Sequence, residues 1–234
     1  MLISGIKKTT LLDYPWKVAT IIFTPWCNLR CKFCHNSEFV LPEKIKEIKD
    51  YIPEETFINF LKTKIGLLDG VVICGWEPTL QKDLELFCKK IKDLWFLIKL
   101  DTNWRNPELI QKLIKNKLVD YIAMDIKWDF NNLNDLIWWD FQNNVANYYK
   151  SIEILLKWEI DYEFRTTLIK SYHTYENFLE ILKLIKWTNN YYIQNYKGWN
   201  TLDINFKGSS FSNSELKEFK SISDNYGVNC KIRI

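Results

Sequence analysis

Three cysteines stand close together early in the chain, in the segment Cys27-Asn-Leu-Arg-Cys31-Lys-Phe-Cys34. Thiolates are soft ligands, and three of them in one short loop favour an iron–sulfur cluster or zinc. A [4Fe–4S] cluster takes four ligands, and no fourth cysteine follows nearby, so one iron would be open to a non-protein ligand. The alternatives are a structural zinc site completed by His35 and, less well supported, a disulfide pair.

The elements that must position this loop alternate along the chain. Short runs rich in Val, Ile, Phe and Tyr predict strands at 18–23, 71–74, 96–100, 121–125, 162–167 and 191–195. Segments of helical period predict helices at 53–63, 83–94, 107–116, 142–157, 175–185 and 214–226. A short strand is predicted after Gly227, and an irregular insertion at 128–140. Six strand–helix units indicate parallel strands with crossover helices, in a doubly wound sheet or a full or partial barrel.

The unusual polar residues fall at the ends of these predicted strands. They are the cysteine loop, Gly75-Trp76-Glu77-Pro78, Asp101-Thr102-Asn103, Asp125 with Lys127, Arg165-Thr166-Thr167, and Gln194-Asn195. Parallel sheets and barrels build their sites at the carboxyl ends of their strands. We therefore expect one functional edge that carries all of these groups.

The motifs resemble those of a known family. C-x3-C-x2-C with an aromatic residue before the last cysteine resembles the signature of radical S-adenosylmethionine enzymes, and Gly75-Trp76-Glu77-Pro78 resembles their G-G-E-P motif with Trp76 as the departure. Further matching segments are Thr10-Leu-Leu-Asp13-Tyr-Pro15, Phe23-Thr-Pro25, Cys34-His35-Asn36, Lys99-Leu-Asp101-Thr-Asn103, Met124-Asp125-Ile-Lys127 and Glu163-Phe-Arg165-Thr-Thr167. Over residues 3–195 they resemble the glycyl-radical activating enzymes, most closely the longer-type activating protein of anaerobic ribonucleoside-triphosphate reductase.

This resemblance implies an α/β fold, a partial (β/α)6 TIM-like barrel with a parallel sheet, in a single radical S-adenosylmethionine domain over residues 1–234. It implies that Cys27, Cys31 and Cys34 ligate three irons of a catalytic [4Fe–4S] cluster. The methionyl amine and carboxylate of S-adenosylmethionine would chelate the fourth iron. Reductive cleavage would give methionine and a 5′-deoxyadenosyl radical, which abstracts hydrogen from a backbone glycine of a partner enzyme.

The resemblance also implies roles for residues around the cofactor. Phe33 would pack near the adenine, and the backbone of Gly75, Trp76 and Glu77 would meet the methionyl amine. A monovalent cation would lie at Asp101, Thr102 and Asp125, with Lys127 and Arg165 facing the cofactor.

Each of these residues also has an ordinary structural interpretation. Phe33 could be a packing aromatic, and the two aspartates could cap the helices that follow their strands. Lys127 and Arg165 could be solvated or paired with Glu163. The second histidine, His173, matches no motif and is interpreted as a surface residue.

The implied partners are a glycyl-radical enzyme, with anaerobic ribonucleoside-triphosphate reductase as the first choice, and an electron donor such as flavodoxin or ferredoxin. The alternatives are activation of a formate-lyase-type enzyme, a radical enzyme with a small-molecule substrate, or a non-catalytic zinc or iron–sulfur binding module. No apolar run long enough for a bilayer and no secretory signal are found, which predicts a cytoplasmic protein without a membrane partner. The net charge of +3 without a basic stripe argues against nucleic acid as a partner.

Tryptophan is abundant and glycine is scarce. The chain has 11 Trp and 7 Gly, whereas usage of roughly 7% predicts about 16 glycines. Trp16, Trp26, Trp76 and Trp104 stand where the resembling family has glycine, and Trp95 and Trp158 precede predicted strands at turn positions. Glycine at such positions permits positive φ and close backbone approach. Because some bacterial lineages read UGA as glycine, we hypothesise that most of these tryptophans are a translation-table artefact; the alternative is a genuinely Trp-rich variant.

Overall fold

The computed structural model describes residues 1–35, 37–48, 50–127, 145–157, 159–198 and 201–233. Its strands are β1 Gly5–Thr10, β2 Ala19–Thr24, β3 Gly70–Gly75, β4 Leu97–Thr102, β5 Tyr121–Asp125, β6 Asp161–Leu168, β7 Tyr191–Asn195 and β8 Cys230–Arg233. Its α-helices are α1 Pro42–Ile45, α2 Glu54–Lys62, α3 Leu84–Lys92, α4 Pro107–Lys115, α5 Val145–Lys157, α6 Tyr175–Leu184 and α7 Asn213–Asn225. Short 3-10 helices lie at Ser37–Phe39 and Pro78–Leu80. The insertion predicted at 128–140 and the tryptophan at 158 lie outside the described residues.

The eight strands form one sheet in the order β1 to β8. Strand pairs β2–β3, β3–β4, β6–β7 and β7–β8 are parallel, whereas β1 is antiparallel to β2. The predicted α/β class with a mostly parallel sheet is therefore confirmed, in agreement with the expected partial (β/α)6 barrel. All six predicted strands, the final strand and all six predicted helices are present, within a few residues of their predicted ends.

Strand β1 is an addition to the predicted set. Its sequence is Gly-Ile-Lys-Lys-Thr-Thr, and Lys7, Lys8 and Thr9 are exposed. Two consecutive lysines interrupt the alternation by which a half-buried strand is identified in a sequence. The strand forms because Ile6 lies opposite Ile22 of β2 and Gly5 lies opposite Phe23.

The chain forms two compact units, which we call the first unit (Met1–Asn28 and Glu38–Ala123) and the second unit (Leu29–Ser37 and Met124–Ile234). That residues 1–234 act as one domain stays a prediction. Within the described residues, no helix is both long enough and apolar enough to cross a membrane.

The first unit is built around strands that are buried on both faces, as parallel strands between helices are. On one face of its sheet, Tyr14 packs in a cluster with Ile21, Val72, Tyr121 and Ala123. The helices of this unit contribute fully buried side chains to the core, among them Phe57, Phe87 and Ile110. These contacts fix the carboxyl ends of β2, β3 and β4, from which the candidate site residues extend.

The second unit packs α6 and α7 through aromatic contacts. The rings of Phe178 and Phe219 lie 4.9 Å apart edge to face, and Phe178 also stacks on Tyr191 of β7. His173, which was interpreted as a surface residue, is buried, and its Nδ1 accepts a hydrogen bond of 2.9 Å from the backbone N–H of Ile169. The surface interpretation was wrong, since a lone histidine gives no sequence signal of its burial.

Candidate functional site

The cysteine loop follows β2 directly. Cys27 belongs to the first unit, and Cys31 and Cys34 belong to the second unit, where the Cys34 N–H donates to the Cys31 carbonyl at 2.9 Å. Burial raises the pKa of the Cys31 thiol to about 12, against the opposing influence of the Lys127 charge. A metal would hold these sulfurs as thiolates.

The donor set fits an iron–sulfur cluster by its chemistry: three thiols, with no disulfide among them, within eight residues. Among the described residues, no group of three or more His, Cys, Asp or Glu side chains is arranged to hold a metal ion. The fit therefore rests on the type and spacing of the donors.

The segment after β3 is drawn tightly against the end of β2. Gly75 has φ +123°, and a Cβ there would lie 2.3 Å from the backbone nitrogen of Thr24, so no side chain can be accommodated. The next two residues continue this contact, because Trp76 N–H donates to the Thr24 carbonyl and Glu77 N–H to the Trp26 carbonyl. The ring of Trp76 stacks on Phe39 at 4.1 Å. This part of the first unit places the backbone of Gly75–Glu77 beside the residue that precedes Cys27.

The carboxylate of Glu77 is fully buried and joins the ends of β3 and β4. It accepts hydrogen bonds from the backbone N–H and hydroxyl of Thr79, from the hydroxyl of Thr102 at 2.7 Å and from the backbone N–H of Asn103 at 2.7 Å. Desolvation raises the pKa of Glu77, although these hydrogen bonds oppose the shift. Asp101, the remaining predicted residue of β4, forms an ion pair with the buried Lys99.

Asn103 links this carboxylate to the first cysteine. Its side-chain Nδ2 lies 3.8 Å from Cys27 Sγ and donates to Asn28 Oδ1 at 2.8 Å. Arg105 fastens the same turn by donating to the Asn28 carbonyl at 2.7 Å. Asn103 was part of a matching segment, but no role was predicted for it; the contact with Cys27 joins residues 76 positions apart and leaves no local signal.

The second unit gathers its predicted residues around Asp125. This carboxylate pairs with Lys127 Nζ at 2.9 Å and with Arg165 Nε at 3.1 Å. Lys127 Nζ also lies 5.9 Å from the ring centre of Phe33, which is a cation–π distance. Phe33 in turn packs against Phe206. The charged groups and the aromatic residue of the cysteine loop thus meet within one unit.

Behind Arg165 lies a second buried carboxylate. Glu163 accepts two hydrogen bonds from the guanidinium of Arg233, each 3.1 Å long, and lies 3.9 Å from Arg165 Nη1. The guanidinium of Arg233 stacks on the ring of Tyr192 at 4.3 Å. The alternative that Arg165 pairs with Glu163 is therefore part of the arrangement, and Arg233 is a partner that sequence reasoning missed.

Each unit contains six of the predicted site residues. The first holds Cys27, Gly75, Trp76, Glu77, Asp101 and Thr102, and the second holds Cys31, Phe33, Cys34, Asp125, Lys127 and Arg165. The three expected cation ligands all have protein partners: Asp101 has Lys99, Thr102 has Glu77, and Asp125 has Lys127 and Arg165.

Comparison with known proteins adds independent information. The profile of the radical SAM superfamily matches residues 21–185. A protein of Methanocaldococcus jannaschii with the provisional name glycyl-radical enzyme activating enzyme is 35% identical over 241 aligned residues, which cover 99% of this chain and 95% of the relative.

Two solved structures show the same fold. A radical SAM methyltransferase from Sphaerobacter thermophilus superposes with a TM-score of 0.68 at 13% identity, over 96% of this chain and 68% of that one. Streptococcus suis SuiB bound to S-adenosylmethionine superposes with a TM-score of 0.63 at 16% identity, over 92% of this chain and 52% of that one. At these identities, the likeness is one of fold.

Proposed function

Because the chain belongs to the radical SAM superfamily, whose members use a [4Fe–4S] cluster and S-adenosylmethionine, we propose that it is an activating enzyme for a glycyl-radical enzyme. When bound, the cluster would pass one electron from an external donor to S-adenosylmethionine, breaking its C5′–S bond to give methionine and a 5′-deoxyadenosyl radical. That radical would take a hydrogen atom from the Cα of a partner glycine, leaving 5′-deoxyadenosine and a glycyl radical.

One observation carries the proposal: the 35% identity to the M. jannaschii relative extends over nearly the whole of both chains. A similarity confined to the cysteine loop would indicate only the superfamily. The matching activase-like segments near Asp101, Asp125 and Arg165 support the same assignment. We propose anaerobic ribonucleoside-triphosphate reductase as the partner on the resemblance of these segments.

In this proposal, Cys27, Cys31 and Cys34 ligate the three irons. The tightly held backbone of Gly75–Glu77 orients the methionyl amine, and Phe33 packs near the adenine. Lys127 supplies positive charge beside the cysteine loop, 5.9 Å from Phe33. Arg165 fixes the orientation of Asp125 through its 3.1 Å contact.

A monovalent cation at Asp101, Thr102 and Asp125 remains part of the proposal. It would have to compete with the lysine partner of each aspartate. We therefore expect cation dependence to be weak, and replacing potassium by choline in the assay measures it. The electron donor is proposed to be a flavodoxin or ferredoxin. The absence of disulfides among the six cysteines supports a cytoplasmic location.

Anaerobic reconstitution tests the proposal. The protein should take up about four irons and four sulfides per chain, cleave S-adenosylmethionine under dithionite, and produce a glycyl-radical electron paramagnetic resonance signal on the purified reductase. Zinc instead of iron would indicate the binding module. Cleavage without a radical on either a reductase or a formate-lyase-type enzyme would indicate a small-molecule substrate.

Cys31→Ala and Cys88→Ala form a matched pair for this assay, because both cysteines are buried. Cys31→Ala should abolish the cluster and the cleavage, since two thiolates do not hold it. Cys88→Ala and Cys230→Ala should keep iron content and activity. Equal loss from Cys88→Ala would contradict the ligand assignment.

A further inference from the structure

We infer that Asn103 is a positioning residue for the proposed cluster: its side-chain amide donates toward the sulfur of Cys27 and sets the electronic environment of that ligand. The inference rests on the proposed function, because the cluster itself is part of that proposal. It concerns a residue that lies outside the cysteine motif, 76 positions from Cys27 along the chain.

The orientation of the amide is fixed by a backbone group. Asn103 Oδ1 accepts the N–H of Arg105 at 3.2 Å, and a backbone N–H requires an acceptor. Turning the amide over would place its NH2 group against that donor. Both amide hydrogens are therefore directed at the turn formed by Cys27 and Asn28. The amide nitrogen of Asn103 lies 3.8 Å from Cys27 Sγ and 2.8 Å from Asn28 Oδ1.

Asn103 is also held rigidly. It is buried, and its backbone N–H donates to the Glu77 carboxylate at 2.7 Å. Arg105 fastens the opposite side of the turn through the Asn28 carbonyl. Because the side chain is already ordered, its contact with the sulfur costs little additional conformational entropy.

A donor at this position has a defined effect. Once Cys27 ligates iron its sulfur is a thiolate, which is a stronger acceptor than a thiol. Hydrogen bonds to the sulfurs are among the factors that set the reduction potential of an iron–sulfur cluster. An N–H directed at a ligand sulfur stabilises the more negative, reduced state. Removing it should therefore make the cluster harder to reduce.

The experiment compares reduction potentials of reconstituted wild type, Asn103→Leu and Asn103→Asp by electron paramagnetic resonance titration without S-adenosylmethionine. Leu removes the donor without adding charge, and Asp keeps the acceptor for Arg105 but replaces the donor with an anion. We expect Asn103→Leu to lower the one-electron reduction equilibrium about tenfold, a shift of about 59 mV to more negative potential, and Asn103→Asp to lower it further. Asn106→Asp is the matched control, because Asp keeps the cap of α4 and loses only the 3.2 Å hydrogen bond to the Thr79 carbonyl, away from Cys27; its potential should be unchanged.

The outcomes separate this inference from the proposed function. A wild-type protein that binds neither iron nor sulfide overturns both. A wild-type cluster whose potential is unchanged in Asn103→Leu and Asn103→Asp overturns the role of Asn103 alone. If Asn103→Leu does not fold, Asn103→Asp decides, since it retains the contact with Arg105, and a shift matched by Asn106→Asp would also contradict the inference.

A second inference rests on the backbone. We infer that the native protein has glycine at positions 16, 26, 95, 104 and 187. Among the described residues, six non-glycine residues have positive φ, and five of them are tryptophan: Trp16 (61°), Trp26 (76°), Trp95 (68°), Trp104 (80°) and Trp187 (78°). Such a conformation is unfavourable for every L-residue with a Cβ and natural for glycine.

Three of these five side chains offer little in return for this backbone cost, whereas that of Trp104 is buried. Trp16, Trp95 and Trp187 are 99%, 92% and 77% exposed. Trp95 and Trp187 follow the ends of α3 and α6 by three residues, a region where glycine commonly takes the left-handed conformation. Trp187 was not among the predicted positions, whereas Trp76 has no positive φ and gains no support from this observation.

Mass spectrometry of peptides from the native protein tests this inference directly. Glycine at the five positions is expected, and tryptophan there would overturn it. The physical basis is tested on the protein with tryptophan at these positions, in which Trp16→Gly, Trp95→Gly and Trp187→Gly should each raise Tm by about 2–4 °C. Trp76→Gly is the control without positive φ, and should not raise it. Unchanged or lower Tm values for all three exposed positions would refute the backbone argument.

Discussion

Glu77 of the first unit and Glu163 of the second are both fully buried, yet they are stabilised differently. Glu77 is surrounded by neutral donors: Thr79, Thr102 and the backbone of Asn103. Glu163 is held by the guanidinium of Arg233, with Arg165 nearby. The two carboxylates therefore have different structural roles. Neutral donors converging on Glu77 fix the positions of two loops, whereas the cations around Glu163 balance a buried charge beside Arg165.

The difference indicates how each unit holds its own predicted site residues. In the first unit, hydrogen bonds determine backbone geometry, and the consequence reaches Cys27 through Asn103. In the second unit, alternating charges determine the orientation of Arg165 and Asp125. Changes that remove a charge and changes that remove a neutral donor should therefore have unequal effects in the two units.

Removal of the Arg233 guanidinium is expected to have the largest effect on stability. Arg233→Leu should lower the free energy of unfolding by about 3–5 kcal/mol, because it removes the two 3.1 Å hydrogen bonds that Arg233 donates to the buried carboxylate of Glu163. Urea unfolding followed by circular dichroism measures the change. Adding Glu163→Gln to Arg233→Leu should recover much of the loss, since the buried charge is then absent.

Lys231→Leu provides the control for this prediction. Lys231 lies on the same strand, is exposed, and contacts the same ring of Tyr192 at 5.4 Å, but it does not bind Glu163. Its replacement should cost less than about 1 kcal/mol. A loss equal to that of Arg233→Leu would show that the strand, rather than the ion pair, is responsible.

Glu77→Gln should have an intermediate effect. The amide NH2 would meet one of four donors that now point at the carboxylate, leaving a buried clash worth about 1–3 kcal/mol. The raised pKa of Glu77 also determines the direction of a pH effect on stability. The native state holds the Glu77 proton more tightly than the unfolded state, so the wild-type free energy of unfolding falls as pH rises above 4.5. This contribution should be missing in Glu77→Gln. A variant whose unfolding has the same pH dependence as wild type between pH 4.5 and 7 would contradict it.

The pH effect of His173 on stability should be the smallest of these effects, and its direction should be opposite to that of Glu77. Burial lowers the pKa of His173 to about 3 from 6.5, so the unfolded state binds more protons between these values. Its contribution to stability is complete above pH 6.5 and is lost as pH falls. Lowering the pH from 7.5 to 5.5 should cost about 1 kcal/mol through this residue. His173→Asn, whose side-chain oxygen can still accept from Ile169, should remove that dependence, and unfolding curves at the two pH values measure it.

Much of the fold could be predicted because its signals are local. Buried parallel strands read as short apolar runs, and β2 through β7 were found in this way. Strand β1 was missed because its edge position allows Lys7 and Lys8 to face solvent. The short helix α1 was missed because its four residues are too few to show a helical period.

The candidate site residues could be predicted where they lie together in a short motif. They could not be predicted where they depend on contacts between residues far apart in the sequence. The cysteine spacing predicts a site for a soft metal centre, an iron–sulfur cluster or zinc. The contact of Asn103 with Cys27 and the pairing of Arg233 with Glu163 join residues 76 and 70 positions apart. No pattern along the chain encodes such distances. The burial of His173 was missed for another reason: its partner Ile169 is only four positions away, but a lone histidine gives no sequence signal of burial.

The strands at the two ends of the sheet order have a consequence for the behaviour of the protein at high concentration. An outer strand presents unpaired backbone groups that can recruit a second chain and begin aggregation. Here β1 presents Lys7 and Lys8, and the four-residue β8 carries Lys231 and Arg233. Pairing another chain along either strand would bring like charges together and strip them of water. The interruption that hid β1 from sequence analysis therefore also protects the sheet from growing beyond its own chain.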